Sequence, residues 1–282
     1  MALSEESAIG ELNAADLLIA SASTLPVFEA RALLAHQLGV ARETLIARPE
    51  QRVAPVDADG FAQLAERRRR GEPLAYLLGE KEFYGRLFSV SPAVLIPRPE
   101  TELLVETALA YAATDNTQVL DLGTGSGCIA ITLGLERRSW RVIATDVSSQ
   151  ALAVARDNAS EWQASNVTFR LGIWFSAVPA QRFDLIVSNP PYVAADDPHL
   201  DSLRHEPTVA LAAENNGLAN LHTIIEGAPD HLTPGGLLVL EHGHDQAHSV
   251  REMLMTRDWS DVVTRADLAG LDRVTYARSG VV

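Results

Sequence analysis

The sequence predicts an α/β protein built on a doubly wound sheet, preceded by a small helical region, and three observations carry that expectation. From Gln118 onward, short apolar runs of strand character alternate with longer stretches of helical spacing. One of these runs passes through a glycine-rich turn directly into an apolar helix, as nucleotide-binding sheets do at their first crossover. Before residue 80 the chain has helical periodicity and little strand signal.

Taken in order, Leu12, Ala15, Leu18 and Ile19 form one helical stripe, and Ala30, Leu33, Leu34 and Leu38 a second, which Gly39 can stop. Pro49, Pro55 and Gly60 interrupt the chain before Phe61-Ala62-Gln63-Leu64-Ala65 resumes helical spacing. From Phe83 to Val94 the period changes, and Phe83, Tyr84, Phe88 and Val90 indicate a hairpin turned near Gly85-Arg86. The segment Leu95-Ile96-Pro97-Arg98-Pro99-Glu100-Thr101-Glu102 then leads into a helix containing Leu103, Leu104, Val105 and Leu109. Thr101 is placed to cap that helix, with Pro99 setting its approach. Strands are expected at 119–122, 141–145, 167–171, 183–188 and 237–241, and a terminal pair at 262–264 and 274–277. The implied organisation is a small helical domain over 1–80, a hairpin and linker over 81–100, and an α/β domain over 101–282. There is no internal repeat and no low-complexity segment.

The glycine turn lies in Val119-Leu120-Asp121-Leu122-Gly123-Thr124-Gly125-Ser126-Gly127-Cys128-Ile129-Ala130-Ile131. Its G-x-G-x-G spacing differs from the dinucleotide pattern, but the chemistry is related. Glycines allow a tight turn and close approach to a ligand, with helix N–H groups directed at its polar end. Downstream, Trp140-Arg141-Val142-Ile143-Ala144-Thr145-Asp146 reads as a strand ending in an acid, at about the spacing expected of a ribose-binding carboxylate. The alternative for Asp146 is a helix N-cap for the segment beginning near Ser148.

A later strand, Phe183 to Ser188, runs into Asn189-Pro190-Pro191-Tyr192. Neither proline can donate to a ladder, so the chain must leave the sheet there. The Asn189 side-chain oxygen and a freed main-chain carbonyl then offer two acceptors suited to the two hydrogens of a flat NH2 group, on which Tyr192 can stack. The bland alternative is a proline-rich turn with Asn189 as its local cap. Glycine turn, acidic strand end and NPPY loop together point to S-adenosylmethionine. Gly123, Asp146, Trp174 and Asn189 all follow strand ends and so share one rim of the sheet.

Composition narrows the classes. The chain has 282 residues, 47% hydrophobic and 21% charged, which fits a two-domain soluble protein. It has no membrane-length apolar run, and Glu5 and Glu6, without a basic stretch, are unlike a signal peptide, so a cytoplasmic location is expected. The one cysteine, Cys128, excludes an internal disulfide. A formal charge of -14 argues against a long nonspecific track on nucleic acid. The run Arg67 to Arg70 reads as a solvated helix face. His242, His244 and His248 lack the companion residues of a metal site, and no metal is expected.

The chain resembles the HemK-type (PrmC) protein-glutamine N5-methyltransferases, which act on peptide chain release factors. The resemblance runs through Gly71-Glu72-Pro73-Leu74-Ala75-Tyr76, Glu82-Phe83-Tyr84-Gly85, the segment Leu95 to Glu102, Asp121 to Ile131, and Ser188 to Tyr192. It implies a seven-stranded, Rossmann-like methyltransferase domain with a helical arm that holds the release factor, in a protein acting as a monomer. It further implies that Asp121, Gly123, Thr124, Gly125, Ser126 and Gly127 border the cofactor, the last five at its methionine end. Asp146 takes the ribose and Trp174 lies by the adenine. Asn189, Pro190, Pro191 and Tyr192 hold the substrate amide, with Asn189, Pro190 and Tyr192 closest to catalysis and Asn189 also beside the cofactor. One departure stands out: an acid usually precedes this tryptophan, and here the residue is Ile173.

The implied reaction is direct in-line transfer of a methyl group to the N5 amide nitrogen of the glutamine in a Gly-Gly-Gln motif. Hydrogen bonds to Asn189 Oδ1 and the Pro190 carbonyl would counter the poor nucleophilicity of an amide. No residue stands out as an obligatory base. Two other substrates suit the same pocket chemistry: a ribosomal-protein glutamine, and an adenine base in DNA or RNA, although the acidic chain lacks the basic channel that a flipped base requires. Arg98 and Glu100 read either as groups on the active-site rim or as part of an interdomain ion pair.

Overall fold

The structure is a computed structural model, which describes residues 12–111 and 115–280. Glu5 and Glu6 lie outside the described residues. The chain divides into two compact units, one ending at Gly79 and the other beginning at Glu80.

The first unit is helical: α1 (Ala14–Ser21), α2 (Val27–Leu38), α3 (Arg42–Ala47), α4 (Pro55–Arg69) and α5 (Leu74–Leu78). Asn13 caps α1 by accepting the Asp16 N–H at 3.0 Å, and Gly39 ends α2 in the left-handed region. The expected α2 stripe is buried at Ala30, Leu33 and Leu34, with Leu38 packed beside them. The first stripe is not: α1 begins at Ala14, Leu12 precedes it, and Ile19 is 73% exposed. In a helix of eight residues, the turn toward Leu17 and Leu18 decides what is covered. The arginine run ends α4 as an ion-paired cluster. Arg67 meets Glu72 at 2.5 Å, Arg68 meets Glu29 at 2.8 Å, and Arg69 and Arg70 share Glu66 at 2.7 and 2.8 Å.

The second unit opens with a hairpin, β1 (Glu80–Phe83) and β2 (Arg86–Ser89), turned at Tyr84 and Gly85, both with positive φ. The two-residue turn therefore sits one residue earlier than Gly85-Arg86, because Phe83 pairs with Arg86. A 3-10 turn, Pro99–Thr101, runs into α6 (Glu102–Tyr111). Thr101 thus lies within the turn, and the cap role expected of its hydroxyl gives way to a bond with Asn189.

Seven strands form the main sheet: β3 (Gln118–Leu122), β4 (Arg141–Asp146), β5 (Val167–Leu171), β6 (Phe183–Ser188), β9 (Leu232–Glu241), β10 (Trp259–Ala266) and β11 (Asp272–Ser279). Their order is β10-β11-β9-β6-β3-β4-β5, parallel from β5 to β9, with β11 antiparallel to both β9 and β10. The order reverses around β3, where the crevice at the strand ends opens. A minor parallel pair, β7 (Val193–Ala194) with β8 (Ala212–Ala213), follows the NPPY loop.

Successive residues of the central strands face opposite ways and are buried on both sides. Val119, Leu185, Val187, Leu237 and Val239 join the core of α6 and α7 (Cys128–Glu136), against which Ala159 and Trp162 pack from the region of α8 (Ser149–Glu161). Leu120, Leu122, Ile186, Leu238 and Leu240 join the core of α9 (Ala219–His231) and α10 (Ala247–Met255). Each such side chain, fully buried, contributes roughly 1.5–3 kcal/mol relative to exposure. Strands this well anchored hold their carboxyl ends fixed, and the site is built there.

Candidate functional site

At the carboxyl ends of β3 to β6 the second unit encloses a cavity of about 290 Å³. Gly123, Gly125, Asp146, Trp174, Asn189 and Pro191 all line it, so four consecutive parallel strands each supply a wall. Asp121, Thr124, Ser126, Gly127 and Pro190 are buried and, with half-buried Tyr192, do not themselves line the cavity. Further walls come from Ala93, Val94 and Leu95 after the hairpin and from Pro207 to Ala212. Sequence reasoning did not assign these segments to the site, because they are irregular chain brought in by tertiary contacts. Ile173 also faces the cavity and is 58% exposed, so the position before Trp174 presents a hydrocarbon surface to it.

The glycine turn is organised by two carboxylates. Asp146, the last residue of β4, accepts the Gly125 N–H on Oδ2 at 2.9 Å and the Ser148 N–H on Oδ1 at 2.8 Å. Ser148, not Asp146, is the N-cap of α8, its hydroxyl accepting the Ala151 N–H. Asp121 is fully buried on β3 and accepts the Thr124 hydroxyl on Oδ2 at 2.6 Å, while its Oδ1 has no hydrogen-bond partner. Burial pushes the Asp121 carboxyl up to about 7, the Thr124 bond opposes that rise, and the negative Asp146 adds to it. Ser126 is buried, and its carbonyl accepts from the Asn158 side chain.

Two glycines of the turn meet different demands. Gly123 has φ 73°, and a Cβ there would stand 3.6 Å from the Trp174 ring at the cavity wall. Gly127, at φ 82°, starts α7, and a Cβ there would press on Ile131 and Ala155. The first is open toward a ligand; the second serves helix packing. Trp174 opens a 3-10 turn after β5 with φ 46°, a conformation uncommon for a bulky residue, and its carbonyl takes a long bond of 3.4 Å from the Thr145 hydroxyl.

Asn189 follows β6 and donates its Nδ2 to Thr101 Oγ1 at 3.1 Å. With the NH2 end so held, Oδ1 is the end available to the cavity. The rest of the loop is clamped from behind: Asn220 donates to the Pro191 carbonyl and Gln246 to the Tyr192 carbonyl, both at 2.9 Å. Gly217 backs this clamp. At φ 81° a Cβ there would overlap the Tyr192 carbonyl oxygen. Tyr192 itself is half-buried and donates its hydroxyl to Glu241 Oε1 at 3.1 Å, and burial beside that carboxylate raises its own pKa.

Arg98 pairs with Glu206 at 2.5 Å, and Glu206 also accepts the Ile96 N–H at 3.1 Å, so the segment after the hairpin is tied to the one that runs through Pro207. Both partners belong to the second unit, so of the two readings of Arg98 the interdomain ion pair gives way to this internal one. Glu100 is exposed. His242 is buried between the Gly243 carbonyl and the Thr275 hydroxyl, and its pKa is lowered, mainly by burial; His248 meets Glu252 at 3.2 Å. Among the described residues, no helix is long and apolar enough to cross a membrane.

Comparison with known proteins divides the chain at much the same place. Residues 12–79 match the PrmC N-terminal domain, and residues 99–214 match the methyltransferase small domain. The chain is 50% identical to a release factor glutamine methyltransferase of Bordetella pertussis, over 89% of its own length and 94% of that protein. It is 48% identical to one of Neisseria gonorrhoeae (91% and 94%) and 45% identical to one of Salmonella typhimurium (91% and 93%). Among solved structures, it superposes on a methyltransferase from Pyrococcus furiosus with a TM-score of 0.55 at 21% identity, covering 71% of this chain and 92% of the other. A ribosomal protein L11 methylase from Lactobacillus delbrueckii gives 0.52 at 20% identity, covering 67% and 84%. At these identities the structural matches bear on the fold, which is that of S-adenosylmethionine-dependent methyltransferases.

Proposed function

Because the chain belongs to the release factor glutamine methyltransferases, we propose that it transfers the methyl group of S-adenosylmethionine to the N5 side-chain amide nitrogen of the Gly-Gly-Gln glutamine in a peptide chain release factor. The observation that carries this reading is Asn189. Its Nδ2 is held by Thr101 and its Oδ1 is left as an acceptor in the cavity that Gly123, Gly125, Asp146 and Trp174 also line.

The residues present fit the cofactor. Asp121 Oδ1 is a buried carboxylate oxygen without a partner, suited to a cationic ligand group, and the Gly123 and Gly125 positions leave room that side chains would fill. Asp146 has lone pairs to spare after its two backbone bonds, and these suit ribose hydroxyls. Trp174 offers a flat apolar wall for a base. When bound, S-adenosylmethionine supplies an electrophilic methyl group.

The protein's task is to make an amide nitrogen attack. That nitrogen is a poor nucleophile because its lone pair is delocalised into the carbonyl. In this reading Asn189 Oδ1, at the cavity wall, accepts one of the nitrogen's hydrogens, and the carbonyl of the adjoining Pro190 is the acceptor for the other, which would favour the positive charge that develops there and fix the direction of attack. The clamp of Asn220 and Gln246 on the loop keeps these acceptors from retreating. Tyr192, next in the loop, packs against the sheet core with its hydroxyl anchored on Glu241, which helps to fix the loop.

Substrate choice falls to the helical unit in this reading. Ile19, Phe28, Ile46 and Val56 are each more than 60% exposed on it, apolar surface of the kind a protein partner covers. The test is to supply purified release factor, ribosomal proteins and DNA with labelled S-adenosylmethionine and to locate the label by mass spectrometry. Label on the glutamine N5 of the release factor is the expected result. Label on a ribosomal protein or an adenine instead overturns the substrate assignment.

A further inference from the structure

The chain between the minor strands β7 and β8 forms a strap that supplies part of the cavity wall. It leaves at Ala194 and returns at Ala212, fastened at that base by the β7–β8 pairing and by the Leu211 carbonyl, which accepts the Val193 N–H at 3.0 Å. Away from the base its backbone bonds are local: the N–H groups of Glu206, Ala210 and Leu211 each reach back three residues, to Leu203, Pro207 and Thr208. Local turns of this kind set the shape of a segment but not its distance from the rest of the fold.

Glu206 sets that distance. Its side chain is 3% exposed, takes Arg98 Nη2 on Oε1 at 2.5 Å, and accepts the Ile96 N–H on Oε2 at 3.1 Å. A carboxylate at that depth is stable because both oxygens are engaged, one of them by a charged donor. The chain neighbours of these anchors are cavity residues. Ala93, Val94 and Leu95 run up to Ile96, while Pro207 directly follows Glu206, with Val209, Ala210 and Ala212 beyond it. The pair therefore joins two walls of one cavity across 108 residues of sequence. The strap's share of that cavity is apolar: Val209 is exposed and lines it, as do the exposed Val147 and Ile173, so three segments offer hydrocarbon surface to a flat base such as adenine. Because the strap hangs from the two-stranded β7–β8 sheet, loosening it leaves the seven-stranded core intact.

We propose that Glu206 is a positioning residue for the cofactor: by latching the strap to the segment after the hairpin, it holds the cavity closed around S-adenosylmethionine and slows its departure. The proposal rests on the cofactor reading of the cavity and is independent of which amide accepts the methyl group. Glu206 does not itself line the cavity and acts through the residues that follow it.

Glu206→Gln keeps the side-chain length and an acceptor for Ile96 but removes the charge that holds Arg98; Arg98→Met removes the other half of the pair. Labelled S-adenosylhomocysteine, displaced from the full-length protein by excess unlabelled compound, should leave about 10-fold faster in each, with the association rate within about threefold of wild type, since a loosened wall acts on retention more than on encounter. The double variant should be no faster than the faster single one, because both substitutions break the same contact. In turnover, KM for S-adenosylmethionine should rise by about 10-fold with kcat altered by less than about threefold. A second measurement needs no ligand. Hydrogen exchange in the free protein should quicken together in peptides covering 93–98 and 204–212 of both variants, while peptides covering β3 and β6 keep wild-type rates. Wild-type dissociation in folded Glu206→Gln overturns the proposal, as do additive effects of the two substitutions. Exchange quickened equally in β3 and β6 also overturns it, since the pair is then a general stabiliser. If Glu206→Gln does not fold, Arg98→Lys, which keeps the charge and loses the guanidinium fork, decides by the same rates. A wild-type protein that binds no S-adenosylhomocysteine defeats the cofactor reading instead, and the exchange rates still decide whether the latch exists.

Discussion

Asp146 binds the glycine turn it was expected only to face: its Oδ2 takes the Gly125 N–H at 2.9 Å, across 21 residues of sequence. The same carboxylate therefore shapes the loop and offers itself to ribose. Asp146→Asn keeps one oxygen acceptor and loses the charge, so S-adenosylhomocysteine should bind more weakly by about 1.5–3 kcal/mol, the range of one hydrogen bond to a charged group. Titration calorimetry on the folded variant checks this. Wild-type affinity would remove Asp146 from the ribose site.

Asp121 should make cofactor binding depend on pH. Its carboxyl is raised to about 7 in the free protein, and a cationic ligand group in the nearby cavity would favour the ionised form. Affinity for S-adenosylhomocysteine should therefore rise from pH 6 to pH 8 and level off above, with proton release on binding. Asp121→Asn should flatten that profile. The stability of the free protein should move the other way. A carboxyl whose folded pKa lies above its unfolded value binds more protons when folded, so its contribution is lost as pH rises from about 4 through 7. Thermal melts of the free wild type and Asp121→Asn across that range supply the comparison.

Asn189→Ala should lower the methyl-transfer rate about 10²- to 10³-fold while leaving cofactor affinity nearly unchanged, since its oxygen acts where charge develops. Asn189→Asp keeps an acceptor, loses the bond to Thr101 and adds charge, so activity should fall without vanishing. Single-turnover transfer to release factor, with cofactor binding measured separately, distinguishes the two. An unchanged rate in folded Asn189→Ala would falsify the pocket assignment.

Gly217→Ala tests the clamp behind the loop. A left-handed non-glycine residue costs about 1–3 kcal/mol even without a collision, and here the new methyl meets the Tyr192 carbonyl. Urea unfolding should show a loss of at least that size, with the transfer rate reduced in whatever folds. Wild-type stability would mean that the loop yields easily.

A chain beginning at Glu80 retains every residue of the second unit and should bind S-adenosylhomocysteine with wild-type affinity. It should methylate intact release factor poorly, because one glutamine side chain supplies little binding area. Equal specific activity of the short and full chains would defeat the assignment of substrate selection to the helical unit.

Much of this architecture was legible because the strands are buried on both faces. Phe183 to Ser188 has the composition of a two-sided core, Val167 to Leu171 alternates apolar and polar residues as a sheet-edge strand does, and the observed bounds of both coincide with the expected ones. Strands β9 and β10 extend further than read, since Thr233-Pro234-Gly235-Gly236 and Ser260-Asp261 interrupt the apolar pattern between the expected strands and the buried Leu232 and Trp259. At the cavity, Gly123, Asp146, Trp174 and Asn189 were readable as residues that follow strand ends. The Thr101 bond was not, because its partners lie 88 residues apart and local spacing pointed to a helix cap. Nor was Glu241, whose sequence context is merely the polar end of a strand. Ile19 went wrong for a simpler reason: a short helix offers several equally good stripes, and only its packing selects one.

The strand order has a consequence for how the enzyme is made. Asn189 follows β6, whose two neighbours are β3, 66 residues earlier by pairing, and β9, some 50 residues later. The helical unit consists of nearby segments and can collapse as soon as it leaves the ribosome, whereas β6 has no second flank until residue 241 has been synthesised. The acceptor pocket is therefore among the last parts to form during translation, and a nascent chain interrupted before that point carries a folded arm without a working centre.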